Sequence, residues 1–357
     1  MSKKDEVINR QNENPVLRSC VSGKNDFTFD HPTINMKKEL VDDAVSALEA
    51  GQTHYVDVPG IPELRESAVG LLGQAGFCSI QAKNILITTG INEARFLAIQ
   101  VLADKFGSIA VPAVCDPNIG NILKVRKTEF MAYACNGTDF RPLPDEILRS
   151  VQMGYKLVYI ENPSRLSGKI LEGGQIEEIC SILDRNDGFA IMDIGFLPWA
   201  DWDETSIKAL SSRSERFILV GETAPGIGCK GLETAFIAAN EEFETLFQVQ
   251  KQVLSICTSA PTQYASLKAA AVYQEKHSSQ KEFLNTEKAK ICEKITSHGF
   301  KVIPGESANV IAFVDPQGKC LHAYGEKGIT LLDGALFGAD GITRISVSLD
   351  EAKNKMI

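Results

Sequence analysis

No apolar run in this 357-residue chain approaches the roughly 18 residues that a membrane-spanning helix needs, so no such helix is expected. There is no CxxC pair and no Cys/His cluster at metal-ligand spacing, so no metal site is expected. The nine cysteines stand singly at Cys20, Cys78, Cys115, Cys135, Cys180, Cys229, Cys257, Cys292 and Cys320. An odd, unpatterned set reads as reduced thiols. No Lys/Arg run is longer than Lys3-Lys4, and the net charge is −9, which argues against a nucleic-acid partner. The stretch MSKKDEVINRQNENP is polar and lacks an apolar signal core, so a cytoplasmic location is expected. No internal repeat and no low-complexity linker occur.

What is present is ordinary for a folded protein. Hydrophobic residues make up 44% and charged residues 23%, enough to bury a sizeable core. Residues 36–51 and 61–76 carry apolar side chains at helical spacing, each with a Gly at its end. From there NILITTG, SIAVPAV, KLVYIENP, FAIMDIGF and RFILVGE read as short apolar strands, and INEARFLAIQVLADKFG and GGQIEEICSILDRND as helices between them. That alternation predicts a mostly parallel sheet covered on both faces. Ligands of such sheets sit at the carboxyl ends of the strands. The strand-end segments are TTGIN, ENPSRLSG, DIGF and GETAPG. Beyond residue 240 two long helices, 241–256 and 260–274, precede short strands, which predicts a smaller α+β domain. The expected division is an N-terminal arm and part of the small domain (1–45), a large α/β domain (46–250) and a small α+β domain (251–357).

HYVDVPGIPELRESA, ITTGINEA, ENPSRLSGKIL, MDIGF and GADGITRISVS together resemble, in order and spacing, segments of the class I/II aminotransferases, pyridoxal-phosphate (PLP) enzymes of fold type I. The resemblance spans roughly residues 30–350. It implies a three-layer large domain with a mostly parallel sheet, a small α+β domain, PLP as cofactor and a homodimer. It also implies site roles. Asp193 would pair with the pyridinium nitrogen and Asn162 donate to the ring oxygen. Gly90, Ile91 and Asn92 would face the phosphate, with Tyr55 reaching it across a dimer interface. Arg344 would clamp a substrate carboxylate, with Asn162 beside it. Read without the resemblance, Asp193 is equally a capping aspartate, Asn162 an Asn-Pro turn and Arg344 a strand-edge arginine.

The lysine loop departs from the family pattern Ser-x-Ser-Lys-x-x-Gly-x-x-Gly-x-Arg. In GETAPGIGCKGLE, with Gly228 and Gly231 aligned, the lysine position falls on Pro225, the first serine on Glu222 and the arginine on Glu233. Proline has no primary amine to bond the cofactor aldehyde. Two carboxylates in the phosphate cup oppose a dianion. Phe196 stands at the tyrosine position, and Asp116 at that of the ring-stacking aromatic. Lys230, five residues on, is the candidate replacement amine; Lys124, Lys156 and Lys169 near strand ends are not singled out. The departures argue against retention of PLP.

Three readings follow. The first is a family protein with an altered site, without ordinary transaminase chemistry, that binds or converts an amino-acid-like carboxylate; Glu222 and Glu233 would then bind an ammonium group or act as an acid–base pair. The second is an active PLP-dependent aminotransferase or decarboxylase using Lys230 or non-covalent PLP. The third is a pseudoenzyme interaction subunit.

Overall fold

The computed structural model describes residues 25–31, 38–212, 214–224 and 232–357. Two helices come first, α1 (Lys38–Glu49) and α2 (Pro62–Gln74). Pro62 opens α2, where its missing N–H has no intrahelical partner to lose. The helix buries Leu64, Ala68, Leu71 and Leu72.

Strands and helices then alternate. The order is β1 (Ile85–Thr88), α3 (Gly90–Phe106), β2 (Ser108–Pro112), α4 (Pro117–Arg126), β3 (Glu129–Tyr133), α5 (Pro144–Gln152) and β4 (Leu157–Glu161). It continues through α6 (Gly173–Arg185), β5 (Phe189–Asp193), α7 (Glu204–Ser211), β6 (Phe217–Glu222) and β7 (Ala235–Ala238). These strands form a seven-stranded sheet, ordered β1-β7-β6-β5-β4-β2-β3. Pairings among β3, β2, β4, β5 and β6 are parallel, while β7 runs antiparallel to β6 and to β1. The sheet is therefore mostly parallel. The pattern of apolar residues does not mark α4, β3, α5, α7 or β7.

Both faces of the sheet are apolar because successive side chains point to opposite sides. Ile109, Val111, Tyr159, Ile191 and Val220 pack with Leu97, Ala98 and Leu102 of α3 and Ile119 of α4. Their neighbours Ala110, Val158, Ile160, Ala190 and Met192 belong to a core shared with α2, α5 and α6. The register Glu161↔Asp193 and Glu222↔Ala235 brings strand ends from distant parts of the sequence to one edge.

The rest of the chain forms α8 (Glu241–Ser255), α9 (Ala260–Ser297), β8 (Lys301–Ile303), β9 (Val310–Val314), α10 (Lys319–Gly325), β10 (Leu332–Asp333), β11 (Ile342–Ser346) and α11 (Glu351–Asn354). Helix α9 spans 38 residues, far beyond the expected 260–274. The four late strands form an antiparallel sheet, β10-β11-β9-β8. The residue 250/251 division lies within α8, which packs on α3 and β1. The segment 25–31 joins the small sheet: Phe27 N–H donates to Thr330 O, and Ser346 N–H to Phe27 O, both at 2.9 Å. No helix among the described residues is long and apolar enough to cross a membrane.

Candidate functional site

Asp193 ends β5 with no solvent exposure, and four donors surround its carboxylate. Arg95 Nε and the Tyr159 hydroxyl each donate to Oδ2 at 2.8 Å. Arg165 Nη2 donates to Oδ1 at 2.8 Å and Gly195 N–H at 3.0 Å. A carboxylate has about four lone-pair directions, so Asp193 is saturated. Burial alone would raise its pKa, but the charges of Arg165 and Arg95 and the bonds from Gly195 and Tyr159 hold it well below the usual carboxylate range.

The two guanidiniums are placed by the fold. Arg95 lies on the buried face of α3 beside Ala94 and Ala98, and is 1% exposed. Its Nη1 donates to Asp116 Oδ2 at 3.0 Å and to Asn92 Oδ1 at 3.3 Å. Asp116 in turn caps α4 by accepting the Asn118 N–H. Arg165 leaves the turn after β4, and its guanidinium stacks over the Phe196 ring at 4.5 Å. It also lies against the backbone at residue 195. A Cβ there would stand 2.0 Å from Arg165 Nη2, so any larger residue has to push the buried guanidinium aside.

Glu161, at the end of β4, is the third acid of this cluster. It accepts the Asp116 N–H at 2.6 Å and the Arg165 N–H at 3.3 Å. Burial, reinforced by repulsion from Asp116 and Asp193, raises its pKa from the ordinary 4.5 to about 8. With Glu161 protonated at neutral pH, two carboxylates face two guanidiniums and the buried charge balances.

A second group joins the segment 25–31 to the sheet edge. Arg344 on β11 is fully buried and donates to Asp30 Oδ1 at 2.8 Å, and to the carbonyls of Arg165, Thr28 and Phe29. Burial alone would raise the Asp30 pKa, but Arg344 and Arg165 hold it far below its usual range. His31 Nε2 lies 2.6 Å from Glu222 Oε2, and Trp199 Nε1 donates to His31 Nδ1 at 3.0 Å. With Nδ1 accepting, the ring proton sits on Nε2, toward Glu222. Glu222 and Glu233 line a cavity of about 10 Å³ with His31, Thr223, Thr234 and Ser266, room for about one water.

The fold therefore gathers Asp193, Asn162, Phe196, Asp116, Arg344 and Glu222 at one edge. Asn162 is buried; its Oδ1 accepts the Leu171 N–H at 2.9 Å, and its Nδ2 has no partner. Gly90 and Asn92 open α3, where Glu93 accepts the Thr89 N–H and pairs with Lys251 at 2.7 Å. Ile91, between them, packs against the core beneath α3. Tyr55 is 76% exposed, outside this cluster. Pro225 and Lys230 lie outside the described residues. Arg95, Arg165, Tyr159, Glu161, Asp30 and His31 are absent from the sequence-based candidates. The one signal for Arg95 is a lone arginine on an otherwise apolar helix face.

This arrangement does not fit PLP. The unpaired Asn162 Nδ2 suits a ring oxygen, but Asp193 has no lone pair left for a pyridinium N–H. Asn162, Asp193, Phe196 and Arg344 are all sealed from solvent. Among the described residues no group of three or more His, Cys, Asp or Glu side chains is arranged to hold a metal ion.

The comparisons agree with the architecture. The family model "Aminotransferase class I and II" matches residues 22–357. An aspartate aminotransferase of Thermotoga maritima is 23% identical over 325 residues, covering 90% of this chain and 85% of that protein. A (5-formylfuran-3-yl)methyl phosphate transaminase of Methanocaldococcus jannaschii is 25% identical over 327 residues, covering 89% and 84%. Among solved structures, an aromatic aminotransferase from Pyrococcus horikoshii superposes with a TM-score of 0.83 at 19% identity, covering 98% of this chain and 96% of that one. A Thermus thermophilus aspartate aminotransferase double mutant gives 0.82 at 16%, covering 99% and 97%. With its model matched over nearly the whole chain, this protein belongs to the class I and II aminotransferase family.

Proposed function

We propose that this chain is a class I/II aminotransferase family protein that does not run PLP-dependent transamination and keeps only the carboxylate-recognising part of the ancestral site. The observation that carries the reading is the saturation of Asp193 by Arg95, Arg165, Tyr159 and Gly195. Charge neutralisation that the family obtains from a bound ring is here internal to the chain. Proline at position 225 supports the same reading, because it supplies no amine. Arg344 is the surviving recognition element. A guanidinium offers a planar fork of donors to a carboxylate.

The test is to titrate the purified protein with PLP, record the visible spectrum, reduce with borohydride and map any label. The expected result is no lysine-bound chromophore and PLP that washes away. A label fixed on Lys230 would overturn the proposal and establish the active-enzyme reading.

A second reading, a subunit that acts through pairing, draws on exposed apolar positions. Leu246, Val249 and Val253 recur at helical spacing on α8, and Val41, Val45 and Leu48 on α1. Sedimentation velocity would separate a dimer from a monomer; a monomer at micromolar concentration counts against pairing.

A further inference from the structure

The geometry points to Asp30 as an internal ligand: its carboxylate fills a carboxylate site formed by Arg344 and Arg165, and a free carboxylate must displace that side chain to enter. This rests on the reading above that Arg344 still recognises carboxylates.

Three observations carry it. The first is the asymmetry of burial. Arg344 and Arg165 are 0% exposed, whereas the Asp30 side chain is 26% exposed. Asp30 thus stands between the two buried cations and solvent. The second is incomplete pairing. Asp30 Oδ1 accepts from Arg344 Nη2, but Oδ2 is 3.6 Å from Arg165 Nη1, beyond a hydrogen bond. Arg344 Nε and Arg165 Nε and Nη1 have no hydrogen-bond partner. Buried donors are rarely left unpaired, and a carboxylate free of the backbone can turn to meet two forks at once. The third is the character of the tether. The backbone on either side of the side chain is anchored: Phe27 is fully buried in the main core, the Thr28 and Phe29 carbonyls accept from Arg344, and the Asp30 carbonyl accepts from Asn309 Nδ2. Only the Asp30 side chain, 26% exposed, has to turn toward solvent to admit another carboxylate.

A tethered carboxylate competes at an effective concentration of millimolar or more. A free carboxylate must exceed that to bind the intact chain, and removal of the tethered group should raise its apparent affinity by about tenfold or more. Asp30→Gly deletes a group with the size of acetate. The expected result is a protein of lowered melting temperature that acetate restores, while chloride or acetamide at equal concentration does not. Acetate should shift the wild type at concentrations at least about tenfold higher, or not at all. Acetate acting no better than chloride on Asp30→Gly would overturn the proposal and leave a structural ion pair.

Should that variant not fold, Asp30→Asn keeps the shape and loses the charge. Succinate should then raise the melting temperature of Asp30→Asn at concentrations about tenfold below those needed in the wild type. An equal response of the two chains would overturn the role of Asp30 as internal ligand. Spectra of the same samples with PLP keep the two ideas apart. A lysine-bound chromophore in the wild type refutes the loss of PLP chemistry, whatever acetate does.

Discussion

Glu161→Gln should change how stability depends on pH, and the size of the change follows from the structure. The Glu161 carboxyl is buried beside two ionised aspartates, and its pKa rises from 4.5 to about 8. Its folded value lies above its unfolded value, so between these limits the folded chain holds a proton that the unfolded chain releases. Stability from this group is fully present below about pH 4.5 and is lost as pH rises through about 8. The slope is about 1.4 kcal/mol per pH unit, so the loss across the window sums to roughly 5 kcal/mol. Glutamine mimics the protonated acid and does not titrate. It keeps an acceptor for the Asp116 N–H and gives up only the longer bond from the Arg165 N–H. Urea unfolding of both proteins at pH 5, 6, 7, 8 and 9 reads the difference directly, since groups common to both cancel. The variant should gain on the wild type by about 1.4 kcal/mol for each pH unit up to about 8, then by no more. Parallel curves would refute the reasoning, because they would mean that Glu161 is ionised throughout or that the aspartates are not charged beside it.

Three further outcomes follow from the same cluster. Asp193→Asn leaves Arg165 and Arg95 short of a counter-charge and should cost about 3–5 kcal/mol; Asp193 is depressed in the folded state, so its contribution is present above the unfolded pKa and lost in acid, and the variant should show a flatter acid limb in denaturation. Gly195→Ala drives a methyl into Arg165 Nη2 and should destabilise by about 1–3 kcal/mol. Adding Arg165→Ala should make the Gly195→Ala step smaller, a non-additivity that calorimetry would detect. Tyr159→Phe removes one 2.8 Å donor to Asp193 and should cost about 1.5–3 kcal/mol while moving acid unfolding to higher pH.

The sequence reveals the architecture through periodicity, and it reveals little of the pairing. Helices α1, α2 and α3 and strands β1, β4, β5 and β6 carry patterns long enough to read, and their observed limits differ from expectation by only a few residues. Helix α4 is short and opens on Asp116-Pro117, a capping signal whose weight depends on a tertiary frame. Strand β7 is four residues long and carries no alternation. Asp193 and Arg344 are legible because they stand at strand positions that match a family pattern. Arg95 and Arg165 are not, since an arginine in an apolar helix or a loop reads as a snorkelling or solvated side chain. Their meaning lies in contacts across the fold: Arg95 and Asp193 are 98 residues apart, Arg165 and Asp193 28. Asp30 reaches Arg344 across 314 residues. No local pattern encodes such a meeting.

The saturation of Asp193 has a further consequence in mass action. A protein stabilised by a dissociable ligand gains RT ln(1 + [L]/Kd), so its folded fraction rises and falls with supply. Arg95, Arg165 and Asp30 are carried by the chain itself, one to each molecule, and no dilution removes them. Their mutual neutralisation is built into every molecule, whatever the supply of ligands.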